Sequence, residues 1–321
     1  MNVNPENTRD AILVIGAGEL GMAVIRNLAQ RAALSAGTTI TVLLRQASIH
    51  SREPGKRRDV AELRALGVTL LAGDLLTATT SDLADLFRPF TTLVCCTGFA
   101  AGGGTQLKIA HAVLAAGVKR YFPWQFGVDY DLIGKGSGQD LFDEQLDVRH
   151  LLRAQTRTEW VIVSTGIFTS YLFEPSFGIV DLARNTVHAL GSWDNAVTVT
   201  TPEDIGVLTA AILFAAPRIV NQVVYIAGDT LTYARLADIV DGVTGTKVRR
   251  VTWDLAYLAA GLAREPRDTV RKYRLAFAKG TGVAWDMNQT FNHQHHIGMT
   301  NAEQWARQKI SGQSRSAGDA A

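Results

Sequence analysis

The chain has 321 residues, which is enough to bury a sizeable core in one large domain or two coupled ones. Its 32 Lys and Arg residues nearly balance its 30 Asp and Glu residues, and the net charge of +2 excludes a general affinity for nucleic acid or anionic membranes. No apolar run reaches the roughly 18 residues that a membrane-spanning helix needs. The polar N-terminus lacks a signal-peptide core, and the only cysteines, Cys95 and Cys96, are adjacent. We therefore expect a cytoplasmic protein whose cysteines pack as small apolar residues.

Strand-like and helix-like segments alternate over the first half of the chain, as is typical of a parallel sheet with crossover helices. The predicted strands are 11–15, 39–44, 68–71, 92–96, 119–122 and 160–163. The predicted helices lie near 20–33, 57–66, 105–116 and 139–155. This alternation predicts an α/β fold with a doubly wound parallel sheet of the Rossmann type.

The pattern changes after Ser164. Segment 166–200 reads as irregular and rich in aromatic residues, and 250–310 reads as helices and loops. Between them, Thr201-Pro202-Glu203-Asp204 is typical of a helix start, with a capping Thr, Pro in the first turn and acids beside it. A strand at 222–226 and a helix from Thr232 follow.

These segments predict three regions. An NAD(P)-binding Rossmann domain covers 8–165, and a substrate-binding region covers 166–310, of which 201–245 returns to the Rossmann core. Residues 311–321 are small and polar and are expected to form a disordered tail. The alternative interpretation of the region after residue 165 is a structural cap on the sheet.

A glycine-rich turn follows the first strand, with the sequence Gly16-Ala17-Gly18-Glu19-Leu20-Gly21, and a helix-like segment comes next. A strand, then G-x-G-x-x-G, then a helix is the fingerprint of dinucleotide binding. The first glycine permits the tight turn, the second lets the backbone approach a pyrophosphate, and the third lets the helix pack on the strand. The turn and the start of its helix are therefore predicted to bind the cofactor, with a merely tight turn as the alternative.

The residues after the second strand indicate which nicotinamide cofactor the chain binds. Sites for NAD usually place an acid there to bind the ribose 2′-hydroxyl. Here the strand runs into Arg45, and the next acid is Glu53, followed by Lys56. Arg45 and Lys56 can bind a 2′-phosphate, so the sequence predicts NADP(H), with a solvated basic loop as the alternative. Further cofactor contacts are expected where later strands end, at Asp74, Thr97, Gly98, Gln125 and Phe126.

A longer motif carries a family resemblance. Residues 115–129 read AAGVKRYFPWQFGVD, which is similar to the pattern AGxVKRFxPSEFGxD of plant reductases. With the glycine-rich turn, Arg45 and Lys56, this stretch resembles the isoflavone-reductase-like, NmrA-like branch of the atypical short-chain dehydrogenases, over about residues 10–230. The resemblance implies a Rossmann-fold, NADP(H)-dependent reductase of a small aromatic or conjugated substrate. The branch also includes NAD(P)-sensing regulators without redox turnover, which stay an alternative.

The chain differs from that family at positions where the resemblance implies catalytic residues. Trp124-Gln125 replaces the family's Ser-Glu, and aligning LFDEQLDVR with the family pattern VFEVKAKVR puts Gln145 where the resemblance implies the catalytic lysine. Gln145 falls on the apolar stripe of its helix, so its amide either contacts cofactor or substrate or is a satisfied core amide. No tyrosine is followed four residues later by lysine, so the ordinary Tyr-x-x-x-Lys pair is absent as well.

We take Gln145 and Lys135 as the catalytic candidates, although Lys135 also reads as a flexible-loop charge. Substrate contacts are expected from Phe99, Asp129, Phe168 and Tyr171. A substrate that needs no proton, such as an iminium or a quinone methide, would suit a site without a standard acid.

The run His293-Gln294-His295-His296 has no metal-ligand spacing, so no metal is expected. The predicted partner is a small-molecule substrate, not nucleic acid or membrane, and a homodimer is left open.

Overall fold

The computed structural model describes residues 10–34, 37–99 and 102–318. The chain forms two compact units. Unit 1 takes its described residues from Met1–Gln125, Asp147–Val163 and Ile205–Val223; unit 2 takes them from Phe126–Leu146, Ser164–Asp204 and Val224–Ala321. The predicted boundary at residue 8 and residues 319–321 of the predicted tail lie outside the described residues.

The structure describes the following elements. The strands are β1 (Ala11–Ile15), β2 (Thr39–Leu44), β3 (Thr69–Ala72), β4 (Thr92–Cys95), β5 (Arg120–Phe122), β6 (Glu159–Ser164), β7 (Ile167–Phe168), β8 (Val180–Asp181), β9 (Thr186–Leu190), β10 (Ala196–Thr200), β11 (Gln222–Tyr225), β12 (Asp229–Thr232) and β13 (Arg249–Trp253). The helices are α1 (Glu19–Ala32), α2 (Gln46–Ile49), α3 (Pro54–Ala65), α4 (Thr80–Phe87), α5 (Thr105–Ala116), α6 (Tyr130–Ile133), α7 (Asp140–Arg153), α8 (Pro202–Leu213), α9 (Tyr233–Thr244), α10 (Leu255–Arg264), α11 (Thr269–Ala278), α12 (Phe291–Gln294) and α13 (Ala302–Gly318). Short 3₁₀ turns cover Thr169–Phe173 and Met287–Gln289.

A seven-stranded sheet in the order β11-β6-β5-β4-β1-β2-β3 forms the centre of the fold, which confirms the predicted α/β class and Rossmann sheet. The pairings from β3 across to β6 are parallel. The strands are apolar because helices cover them; Ile12, Leu13 and Val14 of β1 are all 0% exposed. None of the helices in the described ranges is long and apolar enough to cross a bilayer.

Helix α4 is absent from the sequence prediction. Its start carries a capping box, in which the Thr79 hydroxyl accepts a hydrogen bond from the Asp82 amide and the Asp82 carboxylate accepts one from the Thr79 amide. Leu83, Ala84 and Phe87 then bury one face of the helix in the core. The helix has only eight residues, so its apolar period is too short to stand out from sequence.

The prediction that segment 166–200 is irregular was wrong. It contains β7, β8, β9 and β10, which join two three-stranded sheets ordered β12-β10-β7 and β13-β9-β8. β13 is a further strand, in a part of the chain predicted to hold only helices and loops. These strands have two to five residues. β8 and β9 form a local antiparallel pair, and the other pairings join segments far apart in sequence, as where Arg249 aligns with Thr186. Strand formation here depends on tertiary pairing more than on local pattern.

The chain end also differs from expectation. The backbone of residues 311–318 continues α13, where the composition predicted a disordered tail. A reason lies at the helix start, because the Asp229 carboxylate accepts a hydrogen bond from the Ala302 amide, and Ala302 and Ala306 are both 0% exposed. A helix anchored in this way can extend over residues of modest propensity.

A buried arginine fixes the return of the chain to the sheet of unit 1. Arg120 of β5 is 3% exposed, and its two terminal nitrogens donate to the carbonyl oxygens of Leu213 (2.7 Å) and Ile219 (2.9 Å). Burial lowers the pKa of Arg120 to about 10, which leaves it charged at neutral pH. The guanidinium therefore holds both ends of the loop that connects α8 to β11.

Candidate functional site

The ends of four parallel strands bring the predicted cofactor residues together. In the sheet register, Ile15 of β1 lies between Leu43 of β2 and Cys95 of β4, and Leu43 aligns with Leu71 of β3. The residues just beyond these positions share one edge of the sheet. Ligands in open α/β sheets bind outside the carboxyl ends of the strands, where the strand order reverses. That reversal here lies between β1 and β4.

The glycine-rich turn has a different constraint at each glycine. Gly16 has φ +90°, and a β-carbon there would lie 2.6 Å from the Thr97 hydroxyl. A β-carbon on Gly21 would lie 2.3 Å from the Gly16 carbonyl oxygen, so α1 packs directly on the turn. A β-carbon on Gly18 would meet nothing within 4 Å. Glu19 is exposed and Leu20 is buried in the first turn of α1.

A cavity of about 450 Å³ opens beside this turn. Six of the predicted cofactor residues line it, namely Gly16, Gly18, Arg45, Lys56, Asp74 and Thr97. Gly18 is also the N-cap residue of α1, so no N-cap side chain accepts hydrogen bonds from the first amides of the helix. These are donors for which a pyrophosphate is a suitable acceptor.

The rim of the cavity carries both signs of charge. Arg45 lies at the end of β2, and its guanidinium has no hydrogen bond or ion pair with the described part of the chain. Lys56, in the first turn of α3, forms an ion pair with Glu53, with 2.7 Å between Nζ and Oε2. Asp59 lines the same cavity one turn further along α3.

The inner part of the cavity is apolar. Val60 and Leu63 of α3 face Leu75 and Leu76, which follow β3. Leu76 is 56% exposed, which is unusual for a leucine. Such a slot suits a flat heteroaromatic ring such as adenine. Asp74 lies at its edge, and its Oδ1 accepts a hydrogen bond from the Leu76 amide (2.9 Å).

Sequence reasoning missed several of these lining residues, above all Ser48, Asp59 and the apolar pair Val60 and Leu63. A signal was present, because positions 59, 60 and 63 recur at helical spacing on one face of the predicted 57–66 helix. What the sequence lacked was the direction in which that face points.

The end of β4 forms a second part of the site. The Gln106 side-chain amide donates to the Thr97 carbonyl (2.8 Å), which fixes the strand end. Gly98 packs flat on Trp124, since a β-carbon there would lie 2.9 Å from the indole ring. Phe99 meets the same indole edge-on, with 4.4 Å between ring centroids. Phe99, Gly98 and Trp124 therefore form one aromatic wall, although they do not line the cavity described above.

Gln125 and Phe126, both predicted at the cofactor, are buried. The Gln125 side-chain oxygen accepts a hydrogen bond of 2.9 Å from Nε of Arg149, and both residues are 0% exposed. Phe126 is 3% exposed. A buried guanidinium needs such an acceptor, so Gln125 has a structural task in unit 1.

Asp129 also has local partners. Its Oδ1 caps α6 by accepting from the amides of Asp131 and Leu132, and its Oδ2 accepts a hydrogen bond of 2.6 Å from the Tyr225 hydroxyl. The carboxylate is 4% exposed. Asp129 therefore stabilises the fold of unit 2, and both of its oxygens have donors before any substrate is considered.

The two catalytic candidates lie in contrasting surroundings. Lys135 is exposed, in a loop where Gly134, Gly136 and Gly138 all have positive φ. Gln145 is 0% exposed on α7, as its position in the apolar stripe indicated. Gln145 is therefore a buried neutral amide, which cannot act as a strong general acid.

Phe168 and Tyr171 begin an aromatic region inside unit 2. Phe168 is half-buried just before the 3₁₀ turn that contains Tyr171. The Tyr171 ring lies 4.6 Å from Phe177 and 6.5 Å from Tyr273. Burial, with Glu174 adding to it, raises the pKa of the Tyr171 phenol, so it stays neutral at ordinary pH. Apolar, uncharged walls of this kind suit aromatic ligands.

The histidine run is a surface feature. His293, His295 and His296 are exposed around α12. Within the described ranges, no group of three or more His, Cys, Asp or Glu side chains is arranged to hold a metal ion. The cysteines are buried, and burial raises the pKa of Cys95 to about 12.

Comparison with known proteins identifies the family of the chain and several relatives. Residues 8–273 match the model of the NmrA-like family. An NmrA-like family domain-containing oxidoreductase of Gibberella moniliformis is 48% identical over 93% of this chain and 97% of its own length. The phenylcoumaran benzylic ether reductase Pyrc5 of Pyrus communis is 27% identical over 76% and 78% of the two chains.

A solved structure has the same fold. The binary complex of leucoanthocyanidin reductase with NADPH, from Vitis vinifera, superposes with a TM-score of 0.74 at 19% identity, over 92% of this chain and 97% of that one. The matched range includes the glycine-rich turn and residues 115–129, and the chain belongs to the NmrA-like family, as an isoflavone-reductase-like member with a Rossmann fold.

Proposed function

We propose that this chain is an NADP(H)-dependent oxidoreductase that reduces a small aromatic or conjugated substrate. The observation that carries the proposal is the cavity beside the glycine-rich turn, whose rim has Arg45 and Lys56 where an NAD site usually has an acid directly after the second strand. The reductase names of the relatives and the NADPH of the solved neighbour support the same reading.

The residues present fit a nicotinamide dinucleotide. Gly18 leaves open space at the start of α1, which a pyrophosphate can occupy without meeting a side chain. Arg45 and Lys56 provide two positive charges for a 2′-phosphate, and the slot of Val60, Leu63, Leu75 and Leu76 provides apolar contact for adenine. Bound here, NADPH would supply the hydride.

The chain's own residues then bind and orient rather than donate protons. Asp129 is committed to Tyr225 and to α6, Lys135 is exposed, and Gln145 is an amide. We therefore propose a substrate that accepts a hydride without a strong protein acid, such as an iminium or a quinone methide. The aromatic wall of Phe99 and Trp124 provides a surface on which a flat ring can lie.

Gln145 and the commitment of Asp129 also favour a second candidate function, that of an NAD(P)-sensing protein without turnover. The discriminating experiment titrates purified protein with NADPH and then follows NADPH oxidation with a panel of benzylic ethers, quinone methides and cyclic imines. Turnover of any member supports the reductase. Tight NADPH binding with no turnover across the panel supports the sensor, and no binding of either dinucleotide contradicts both.

A further inference from the structure

Two carboxylates lie beside the cations of the cavity rim, and neither has a role in the proposed function. Glu53 is the N-cap residue of α3, and Asp59 lies in its second turn. Both are exposed. We refer to Glu53 and Asp59 as the α3 carboxylates. A proposed site for an anionic phosphate therefore has two carboxylates next to its two cations, Arg45 and Lys56.

Glu53 acts on the rim through Lys56. Their ion pair joins residues three apart, at 2.7 Å, with the two side chains 48% and 60% exposed. An exposed pair of this kind is weak and opens readily. A 2′-phosphate that recruits the Lys56 ammonium must nevertheless displace Glu53 or share the ammonium with it. Glu53 is thus a competitor for the cation, although it does not line the cavity itself.

Asp59 acts directly. It lines the cavity together with Arg45, Ser48 and Lys56, so its side chain borders the same space as the two cations. A carboxylate repels the phosphate of NADPH but can accept a hydrogen bond from the free ribose 2′-hydroxyl of NADH. Its effect on NADPH binding is therefore opposite in sign to that of Arg45.

From these relationships, and resting on the proposed function, we infer that the α3 carboxylates limit the preference of this site for NADPH over NADH. Glu53 does so by holding Lys56, and Asp59 does so by its own charge. The site is selective for the phosphate because of Arg45 and Lys56, and less selective than those two residues alone would make it.

The experiment measures dissociation constants for NADPH and NADH by calorimetry on the full chain. The variants are Glu53→Gln, Asp59→Asn, Lys56→Gln and the double change Glu53→Gln with Lys56→Gln. The control is Asp85→Asn, because Asp85 also forms an exposed ion pair with a cation three residues away, Arg88, in the same unit and outside the cavity lining. It alters the net charge by the same amount.

We expect Glu53→Gln and Asp59→Asn each to tighten NADPH binding by about threefold without tightening NADH binding. In the Lys56→Gln background, Glu53→Gln should not change the NADPH dissociation constant, because Glu53 acts only through its ion pair with Lys56. Asp85→Asn should change neither constant. Thermal melting without cofactor checks that every variant is folded.

Three results would overturn the inference while leaving the proposed function intact: NADPH and NADH tightening equally, the control variant matching Glu53→Gln, or the Glu53→Gln effect persisting without Lys56. A wild-type protein that binds neither dinucleotide would overturn the proposed function and this inference with it.

Discussion

A β-carbon on Gly21 would lie 2.3 Å from the carbonyl oxygen of Gly16, closer than any real contact. The first turn of α1 is therefore pressed against the backbone of the turn that precedes it. Gly18, between the two, faces open space. Contacts within the protein therefore require glycine at positions 16 and 21, whereas no such contact requires it at position 18. Substitutions at Gly21 and Gly18 can thus test stability and ligand binding separately.

For stability, we expect Gly21→Ala to lower the free energy of unfolding by about 1–3 kcal/mol, because the atom it meets is backbone and cannot move aside. Gly18→Ala, whose φ of −75° is ordinary for any residue, should leave the unfolding free energy nearly unchanged. Chemical denaturation of both variants without cofactor provides the comparison. Equal loss in the two would contradict this account of the turn.

For binding, we expect Gly18→Val to remain folded and to lose NADPH binding, since the branched side chain would fill the space that the proposed pyrophosphate needs. Calorimetric titration, alongside a circular dichroism spectrum that matches wild type, measures this. Normal NADPH affinity in the valine variant would show that the turn does not bind the phosphates.

The rim residue Arg45 should determine cofactor preference. Its guanidinium is exposed at the end of β2, and we expect NADPH to bind at least about tenfold more tightly than NADH, which corresponds to about 1.4 kcal/mol. Arg45→Ala should reduce that ratio and leave NADH binding almost unchanged. Titration of both cofactors against both proteins tests it, and identical wild-type curves would refute the preference.

Gln145 should affect substrate more than cofactor. An amide has no proton of useful pKa, so turnover should show no ionisation that belongs to this side chain. We expect Gln145→Ala to raise the substrate KM by about fivefold, the equivalent of one hydrogen bond, while NADPH affinity stays as in wild type. Gln145→Lys should remain folded and add activity on benzylic ethers. Because Gln145 is 0% exposed, global unfolding of the alanine variant would instead identify it as a core amide.

The buried thiol of Cys95 predicts a pH dependence of stability. Burial raises its pKa from 9.0 to about 12, so the folded state favours the protonated thiol. The unfolded chain releases this proton first, and the stability that the neutral thiol contributes is complete below pH 9 and is lost as the pH rises towards 12. The difference in melting temperature between wild type and Cys95→Ala should therefore shrink above pH 9. A difference that stays constant to pH 10.5 would contradict this.

The sequence was informative where function depends on local order. Arg45 directly follows β2, and Asp74 and Thr97 are each the second residue after a strand, so predicting the strands also predicted that these residues share one edge of the sheet. Lys56 was found through its charge. The fold class follows from the same alternation of elements, and the structure confirms it.

Other features depend on contacts that no local pattern encodes. Asp59 lines the cavity only because α3 is turned that way, and Asp129 is occupied by Tyr225, a residue 96 positions later. The strands of segment 166–200 are short and, apart from the local pairing of β8 with β9, find their partners far along the chain, so their sequence alone reads as loop. Pairings of this kind require the tertiary structure.

The position of β11 has a consequence for anyone who wishes to divide this protein. The seven-stranded sheet ends with a strand from the second half of the chain, which lies beside β6, and the guanidinium of Arg120 binds the two ends of the loop that leads into that strand. A fragment that stops near residue 165 would keep every residue that lines the cavity beside the glycine-rich turn but lose that strand. The Trp160 backbone amide would lose its hydrogen-bond acceptor, Oδ1 of Asn221. β6 would then be an exposed edge strand, whose unpaired donors and acceptors could pair with other chains. The first half of the sequence is for that reason not a separable module, since its sheet is completed by residues much later in the chain, such as Asn221, which lies 61 positions after Trp160.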